Sequence, residues 1–248
     1  MTPGQSVREN TATTSLQIKS KTLKVVLASG IIASAAKPVF SGALDLTSKY
    51  MWRGTECASG ATLFPSASLE IGGLSLSAWG AYALDSSVSE IDLSIGYTLG
   101  NFTLGITDYY YPSAYGLDDS FFNFKPAETG HTLEGTLTYA PEAFPLTLMW
   151  STMFYGADKD ADGKNRFSSY FEAAYCFDFE DAGSLTLTAG ASILKGMYSD
   201  KPFSVINLAA TYGKTIELDK VSFPLSVSYI VNPYLDKTFL TASVGIAF

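Results

Sequence analysis

The chain contains a single histidine, His131, the side-chain type best suited to act as a general base near neutral pH. In an alternating segment, Leu133 shares the side of His131 and Thr132 points the opposite way. A general base needs its proton donor within hydrogen-bonding reach, and this segment supplies no nucleophile there. We therefore predict that the protein is not an enzyme and that His131 lies at the rim of the fold, at the level of lipid headgroups.

Residues 158–163 read Asp-Lys-Asp-Ala-Asp-Gly, three acids at alternate positions followed by glycine. This pattern matches the start of a calcium-binding loop, in which carboxylates converge on one hard cation and glycine permits a sharp turn. The twelfth position is Ser169 instead of the bidentate glutamate. Asp158, Asp160 and Asp162 are thus candidate calcium ligands, a solvated turn is the alternative, and no other cofactor is predicted.

Charged side chains also recur on one side of several alternating segments. At membrane depth such charges are costly unless they face a wet cavity or pair with one another. An excess of acids inside a pore predicts a preference for cations, and the two basic residues are expected to pair with acids and narrow the bore. The candidate pore-lining residues are Asp45, Lys49, Arg53, Glu70, Asp92, Glu134, Glu172 and Asp178.

Aromatic residues are concentrated around the longest polar connection, residues 112–130. Long loops without secondary structure are often functional, so this loop is expected to fold into a pore or cover its mouth. The alternative is that its phenylalanines pack against the rim of the fold. The candidate constriction or lid residues are Tyr109, Tyr111, Phe121, Phe122 and Phe124.

These candidates need elements to position them, and the dominant period from Leu44 onward is two, the period of β-strands. Twelve alternating segments of about ten residues each have the length of tilted membrane strands. The even number fits a single-chain bacterial barrel. The predicted strands are 43–53, 62–71, 74–84, 88–99, 102–111, 131–140, 146–156, 167–179, 185–195, 204–216, 221–231 and 238–248.

The connections between these segments alternate between short and long. Gly72-Gly73 and Gly100-Asn101 are two-residue hairpin signals, whereas residues 112–130 and 157–166 are long. Short turns at one end and longer loops at the other are typical of outer-membrane barrels. The alternation therefore favours a barrel over a soluble sandwich.

Composition limits the function classes. Charged residues make up only 16% of the chain, below the share expected in a soluble domain. The formal net charge of −8 argues against nucleic-acid binding, which uses a basic surface. No run of about twenty apolar residues is present, so no spanning helix is expected.

The amino-terminal segment resembles an export signal in its composition. Lys19, Lys21 and Lys24 precede a short apolar run, residues 25–36, which is long enough for a signal and too short to span a bilayer. Cleavage is expected after Ser41 or Ala43, with Ala35 as a weaker alternative. We therefore predict that residues 1–43 are an extension with a signal peptide and that residues 44–248 form the barrel.

The richer apolar stripe is expected to face lipid, because it carries aromatic residues near both strand ends, as membrane girdles do. The expected upper girdle is Tyr50, Trp52, Tyr82, Phe154, Phe167 and Tyr229, and the expected lower girdle is Tyr97, Phe102, Tyr139, Phe179, Tyr212 and Phe223. A soluble barrel would turn the same stripe inward, and periodicity alone does not separate the two arrangements.

Two resemblances add to this interpretation. The segments Tyr50–Gly54, Ala78–Gly80, Glu90–Tyr97 and Tyr109–Pro112 resemble, in order and rough spacing, the TorF-type family of bacterial porins. This resemblance covers roughly residues 44–112 and implies a barrel that acts as a passive channel. The final strand with its terminal Phe248 also resembles the signal that the outer-membrane barrel-assembly machinery recognises.

We therefore expect an all-β, closed antiparallel transmembrane barrel of about twelve strands in the outer membrane of a Gram-negative bacterium. Its expected partners are membrane lipid, lipopolysaccharide and small hydrophilic solutes that diffuse through it. The first alternative is a non-conducting barrel that acts through its outer loops. A lipid-modifying enzyme and a soluble periplasmic β-domain are weaker alternatives.

Overall fold

The computed structural model describes residues 36–112, 120–126 and 128–248. It contains fourteen strands and one short 3-10 helix, Glu180–Ala182. No helix in these ranges is long and apolar enough to cross a bilayer. The strands are β1 Val39–Thr47, β2 Tyr50–Trp52, β3 Thr55–Ala58, β4 Thr62–Ile71, β5 Leu74–Ala83, β6 Ser89–Leu99, β7 Phe102–Tyr110, β8 His131–Tyr139, β9 Leu146–Gly156, β10 Ser169–Asp178, β11 Ser184–Ser192, β12 Ser204–Leu218, β13 Val221–Asn232 and β14 Lys237–Ala247.

Twelve strands, β1 and β4 to β14, form one closed antiparallel barrel. Each strand pairs with its neighbour in this series, and β1 closes the barrel against β14 in the register Ala43 opposite Ala247 and Thr47 opposite Ser243. Closure leaves no unpaired strand edge, which a bilayer requires because it offers the backbone no hydrogen-bond partners. The predicted fold class, a twelve-stranded antiparallel barrel, is confirmed.

The exterior of the barrel is apolar, and the interior carries polar and charged side chains beside one apolar cluster. On β6, Ile91, Leu93, Ile95 and Tyr97 are 43–56% exposed, whereas Asp92 between them is only 4% exposed. A soluble barrel would bury the apolar stripe, so this arrangement is that of a barrel that spans a membrane. Hydroxyl pairs link adjacent strands inside, such as Ser94 with Thr107 at 2.9 Å and Thr211 with Ser228 at 2.9 Å.

The connections define two ends of the barrel. At the lower end the turns are short, and four of them use left-handed residues, including Gly72 with φ 62° and Gly100 with φ 59°. At the upper end lie the longer connections, including residues 48–61 between β1 and β4 and residues 111–130 between β7 and β8. The predicted alternation of short and long connections is thus present around most of the barrel, and the upper connection 233–236 between β13 and β14 departs from it.

The start of the barrel differs from the predicted boundary at residue 44. β1 begins at Val39, and residues 39–43 pair with β4 in the register Val39 opposite Glu70 and Ala43 opposite Ser66. Cleavage after Ser41 or Ala43 would cut into this strand, whereas cleavage after Ala35 would leave it whole. The predicted signal sequence itself lies almost entirely outside the described residues.

Candidate functional site

The first upper connection forms a small hairpin of its own, and this corrects the predicted first strand, 43–53. The barrel strand β1 ends at Thr47, and β2 and β3 pair with each other as a separate two-stranded sheet. Arg53 and Gly54 form the turn with φ values of 50° and 76°. Two consecutive left-handed residues produce the tight turn whose twist suits a two-residue hairpin.

The β2–β3 hairpin lies inside the bore and crosses it. On one side, Tyr50 contacts the inward rings of Phe64 and Trp79, at centroid distances of 5.2 and 5.8 Å. On the other side, the side-chain amide of Asn232 on β13 donates to the carbonyl oxygen of Gly54 at 3.0 Å. Tyr50 and Trp52 are therefore part of the interior, not of the outer aromatic girdle as predicted.

Arg53, at the tip of the hairpin, forms a buried two-pronged ion pair with Glu134 on β8. Its two terminal nitrogens donate to the two carboxylate oxygens at 2.6 and 2.7 Å. Arg53 is 7% exposed and Glu134 is 1% exposed. Both residues were predicted to line the pore, and the expected pairing of Arg53 with an acid is present. Two parallel hydrogen bonds of this kind fix the orientation of the guanidinium as well as its distance from the carboxylate. They therefore set the position of the hairpin tip.

Aromatic rings surround the Arg53 guanidinium. Its central carbon lies 4.6 Å from the ring centroid of Trp52, 4.7 Å from that of Tyr170 and 5.6 Å from that of Tyr198. Arg53 also donates to the Tyr198 hydroxyl oxygen. Burial raises the pKa of the Tyr198 hydroxyl, so it stays protonated and neutral beside the cation. Tyr109, a predicted constriction residue, donates to Glu134 Oε1 at 3.0 Å and completes this cluster.

A second polar anchor holds the base of the hairpin. The Tyr50 hydroxyl donates to Glu90 Oε2 at 2.7 Å, and Tyr111 also hydrogen-bonds to Glu90. Asp92 lies beside Glu90 on the same inward face of β6. Glu90 is 2% exposed and was not among the predicted residues, although it lies two positions before Asp92 and therefore on the same side. The signal for Glu90 was present in the alternation.

The other predicted pore-lining residues lie at different heights. Lys49 pairs with Glu56 at the base of the hairpin, at 3.1 Å. Glu172 accepts from the Tyr170 hydroxyl at 2.5 Å in the upper bore. Lower down, Asp45 and Glu70 are partly buried, and Asp178 is exposed at the rim, where it accepts from the Glu180 backbone at 2.9 Å. Of the eight predicted pore-lining residues, Arg53 and Glu134 are the pair that the docked hairpin brings into direct contact.

The described loop residues Phe121, Phe122 and Phe124 lie on the outer wall, which corrects the predicted role of these three residues as a constriction or lid. Phe124 stacks on the outward-facing ring of His131 at 4.2 Å, Phe121 meets the same ring edge-on at 5.3 Å, and Phe122 is 87% exposed. His131 contacts the Asp108 carboxylate at 2.9 Å and the Phe121 carbonyl at 2.7 Å. The phenylalanines thus cover a polar pair on the lipid side, which agrees with the alternative of packing against the rim.

Two of the three aspartates of the candidate calcium loop point to different partners. The Asp158 carboxylate accepts from the backbone and hydroxyl of Ser168 at 2.8 and 2.7 Å. Asp160 accepts from the backbone of Lys164 and Asp162, each at 2.9 Å, and these bonds lower its pKa. Within the described ranges, no group of three or more metal-ligating side chains is gathered. This geometry adds no support for calcium, which stays a prediction.

Replacing Tyr50 by Phe removes the hydroxyl that anchors the hairpin to Glu90 and keeps the aromatic packing. Loss of a buried hydrogen bond to a carboxylate is expected to destabilise hairpin docking by about 1–3 kcal/mol. The measurement is the midpoint of thermal unfolding in detergent. The control is Tyr229→Phe, since Tyr229 is 52% exposed on the outer face and should leave the midpoint unchanged.

Cys57 on β3 reports the position of the hairpin. Burial raises the pKa of its thiol to about 12. Because only the thiolate reacts and an ordinary cysteine has a pKa near 8.5, a smaller fraction of this thiol is ionised at pH 8 while the hairpin is docked. In a Cys176→Ser background, we expect slow maleimide labelling of the wild-type hairpin and fast labelling when Arg53→Ala releases it. Equally fast labelling of both proteins would show that the hairpin is not held in place.

No family model matches this chain, and no curated protein matches it. Several solved structures are similar. The NanC porin shares 8% identity and a TM-score of 0.47 over 85% of this chain and 99% of that chain. An outer-membrane channel from Pseudomonas putida F1 shares 12% identity and a TM-score of 0.40 over 86% and 94% of the two chains. LpxR from Salmonella typhimurium shares 13% identity and a TM-score of 0.41 over 84% and 99%. With these scores, none of the likenesses decides the function, and the TorF resemblance stays a prediction.

Proposed function

We propose that this protein is a channel of the bacterial outer membrane for small hydrophilic solutes, closed by the β2–β3 hairpin in the conformation described above. The observation that supports it most is the anchoring of the hairpin by polar contacts at opposite walls of the bore, Tyr50 to Glu90 and Asn232 to Gly54. A buried ion pair adds little net stability over apolar packing of the same volume. The Arg53–Glu134 pair therefore favours a separable contact over a permanent core.

The chemistry of the bore supports a preference for cations. The upper bore carries the acidic side chains of Glu90 and Asp92 on β6, Glu134 on β8 and Glu172 on β10. Arg53 offsets the charge of Glu134 only while the hairpin is docked. With the hairpin displaced, all four carboxylates face the passing solute, and acidic rings favour cations.

The cation preference is tested by the reversal potential of the Arg53→Ala channel across a potassium chloride gradient. We expect a potential of the sign that reports potassium selectivity. The double substitution Glu90→Gln with Glu172→Gln, added to Arg53→Ala, should move it towards zero, because two of the four carboxylates lose their charge. A chloride-selective Arg53→Ala channel would contradict the proposal.

A non-conducting barrel is the second candidate, and the packing of the upper bore favours it. Tyr170 is fully buried, Glu134 is 1% exposed and Tyr50 is 2% exposed, so the hairpin fills the space that a solute needs. In that case the outer loops would carry the function. The two candidates differ in one respect, namely whether removal of the hairpin produces a current.

The remaining partners follow from the exterior. The exposed apolar wall is proposed to contact membrane lipid, and the upper rim is proposed to contact lipopolysaccharide. Phe248, which follows β14, is 68% exposed and is proposed to contact the barrel-assembly machinery.

A further inference from the structure

Four side chains that do not belong to the hairpin enclose the Arg53 guanidinium. Three of them lie on strands of the barrel wall, and the fourth lies in an upper loop. They are Tyr109 on β7, Glu134 on β8, Tyr170 on β10 and Tyr198 between β11 and β12, and we call them the cation cage. We propose that the cation cage is a binding site for solutes that carry a guanidinium group, and that Arg53 occupies it as an internal competitor while the channel is closed. This inference rests on the proposed channel function.

The shape of the cage fits a guanidinium group. Glu134 presents both carboxylate oxygens in one plane, at 2.6 and 2.7 Å from two nitrogens of Arg53, and Tyr109 donates to one of them and so orients the carboxylate. A planar fork matches this arrangement with two parallel hydrogen bonds, whereas a primary ammonium offers only a point charge.

The aromatic walls add a second criterion. The rings of Tyr170 and Tyr198 lie 4.7 and 5.6 Å from the guanidinium carbon, within the range at which a ring face attracts a cation. A neutral planar molecule would gain neither this attraction nor the charge of Glu134. The cage therefore discriminates by charge and by planarity together.

Occupation by Arg53 has a consequence for transport. A solute that binds only the vacated cage stabilises the conformation in which the hairpin has left, by mass action. The cage thus couples the presence of a guanidinium solute to opening of the channel. The strength with which Arg53 binds in the cage determines the solute concentration that is needed to displace it.

The test is chemical rescue of the Arg53→Ala protein, in which the cage is empty and the wall is intact. Methylguanidinium chloride is titrated into the refolded protein, and two quantities are followed, the thermal unfolding midpoint and the single-channel current. We expect a saturable rise of the midpoint and a saturable block of the current. Potassium chloride at equal ionic strength and urea, a neutral planar molecule, should produce neither effect.

Two variants control for non-specific effects. Glu134→Gln added to Arg53→Ala should weaken the apparent affinity for methylguanidinium by about 10-fold or more, because the charge-assisted hydrogen bonds are lost. Lys49→Ala breaks the other ion pair of the hairpin, with Glu56, and leaves Arg53 in the cage. Methylguanidinium should therefore not raise the midpoint of the Lys49→Ala protein.

The outcomes separate the cage from the channel. A midpoint that rises no more with methylguanidinium than with potassium, or that rises equally in the Glu134→Gln double variant, overturns the cage. A saturable rise without any current supports the cage and removes the channel function. Should Arg53→Ala not refold, the same titration on a barrel in which a Gly-Ser linker replaces residues 50–58 gives the same decision.

Discussion

The Arg53→Ala protein is expected to show longer and larger single-channel openings than the wild type in a planar bilayer. The substitution removes both hydrogen bonds to Glu134 and all three cation-aromatic contacts of the hairpin tip. Removal of one partner of a buried ion pair typically costs about 3–5 kcal/mol. Most of this loss should fall on hairpin docking, because the barrel wall retains its own hydrogen bonds.

A double-mutant cycle shows whether the ion pair itself carries the effect. Glu134→Ala should release the hairpin at least as strongly as Arg53→Ala, since it leaves a buried guanidinium that cannot lose its charge. The double variant should release the hairpin no more strongly than Glu134→Ala, because it leaves neither charge buried without a partner and residues in one contact are not additive. Full additivity of the two effects would contradict a direct role of this pair in closing the bore.

Gly54→Ala is expected to displace the hairpin tip from β12. Gly54 has φ 76°, and a Cβ built there would lie 2.0 Å from the backbone oxygen of Ile206. A non-glycine residue in this left-handed region costs about 1–2 kcal/mol by itself, and the contact with rigid backbone adds to that cost. We expect faster labelling of Cys57 together with longer channel openings.

Gly100→Ala is the matched control for this substitution. Gly100 has a similar left-handed φ of 59°, but a Cβ at this position meets nothing within 4 Å. It lies at the lower end of the barrel, so its substitution carries the backbone strain without the clash. Equal effects of the two substitutions on Cys57 labelling would show that close packing of the tip against β12 does not hold the hairpin.

The barrel was predictable because alternation reports a local property. Each wall strand places lipid on one side and the bore on the other, so Ile91 and Asp92 carry the pattern without knowledge of distant residues. The hairpin was not predictable on this basis, since β2 and β3 also alternate. Tyr50 faces an apolar cluster inside the bore, and alternation does not distinguish that cluster from lipid.

The sequence also could not predict which residues pair with each other across the bore. Arg53 and Glu134 are 81 positions apart, and only closure of the barrel brings them together. Phe124 packs outside the wall against His131, which pairs with Asp108, 23 positions away. The inward-facing charged residues could be predicted from alternation. Their partners could not be predicted, because these contacts form only in the tertiary structure.

The central claim is that the β2–β3 hairpin closes a conducting barrel, and removal of the hairpin tests it most directly. Single-channel current is recorded in potassium chloride for the refolded wild type and for the barrel in which a Gly-Ser linker replaces residues 50–58. We expect a mostly silent wild type, and discrete, long-lived, cation-selective steps from the barrel without the hairpin. A folded, heat-modifiable barrel that lacks the hairpin and still carries no current would contradict the claim.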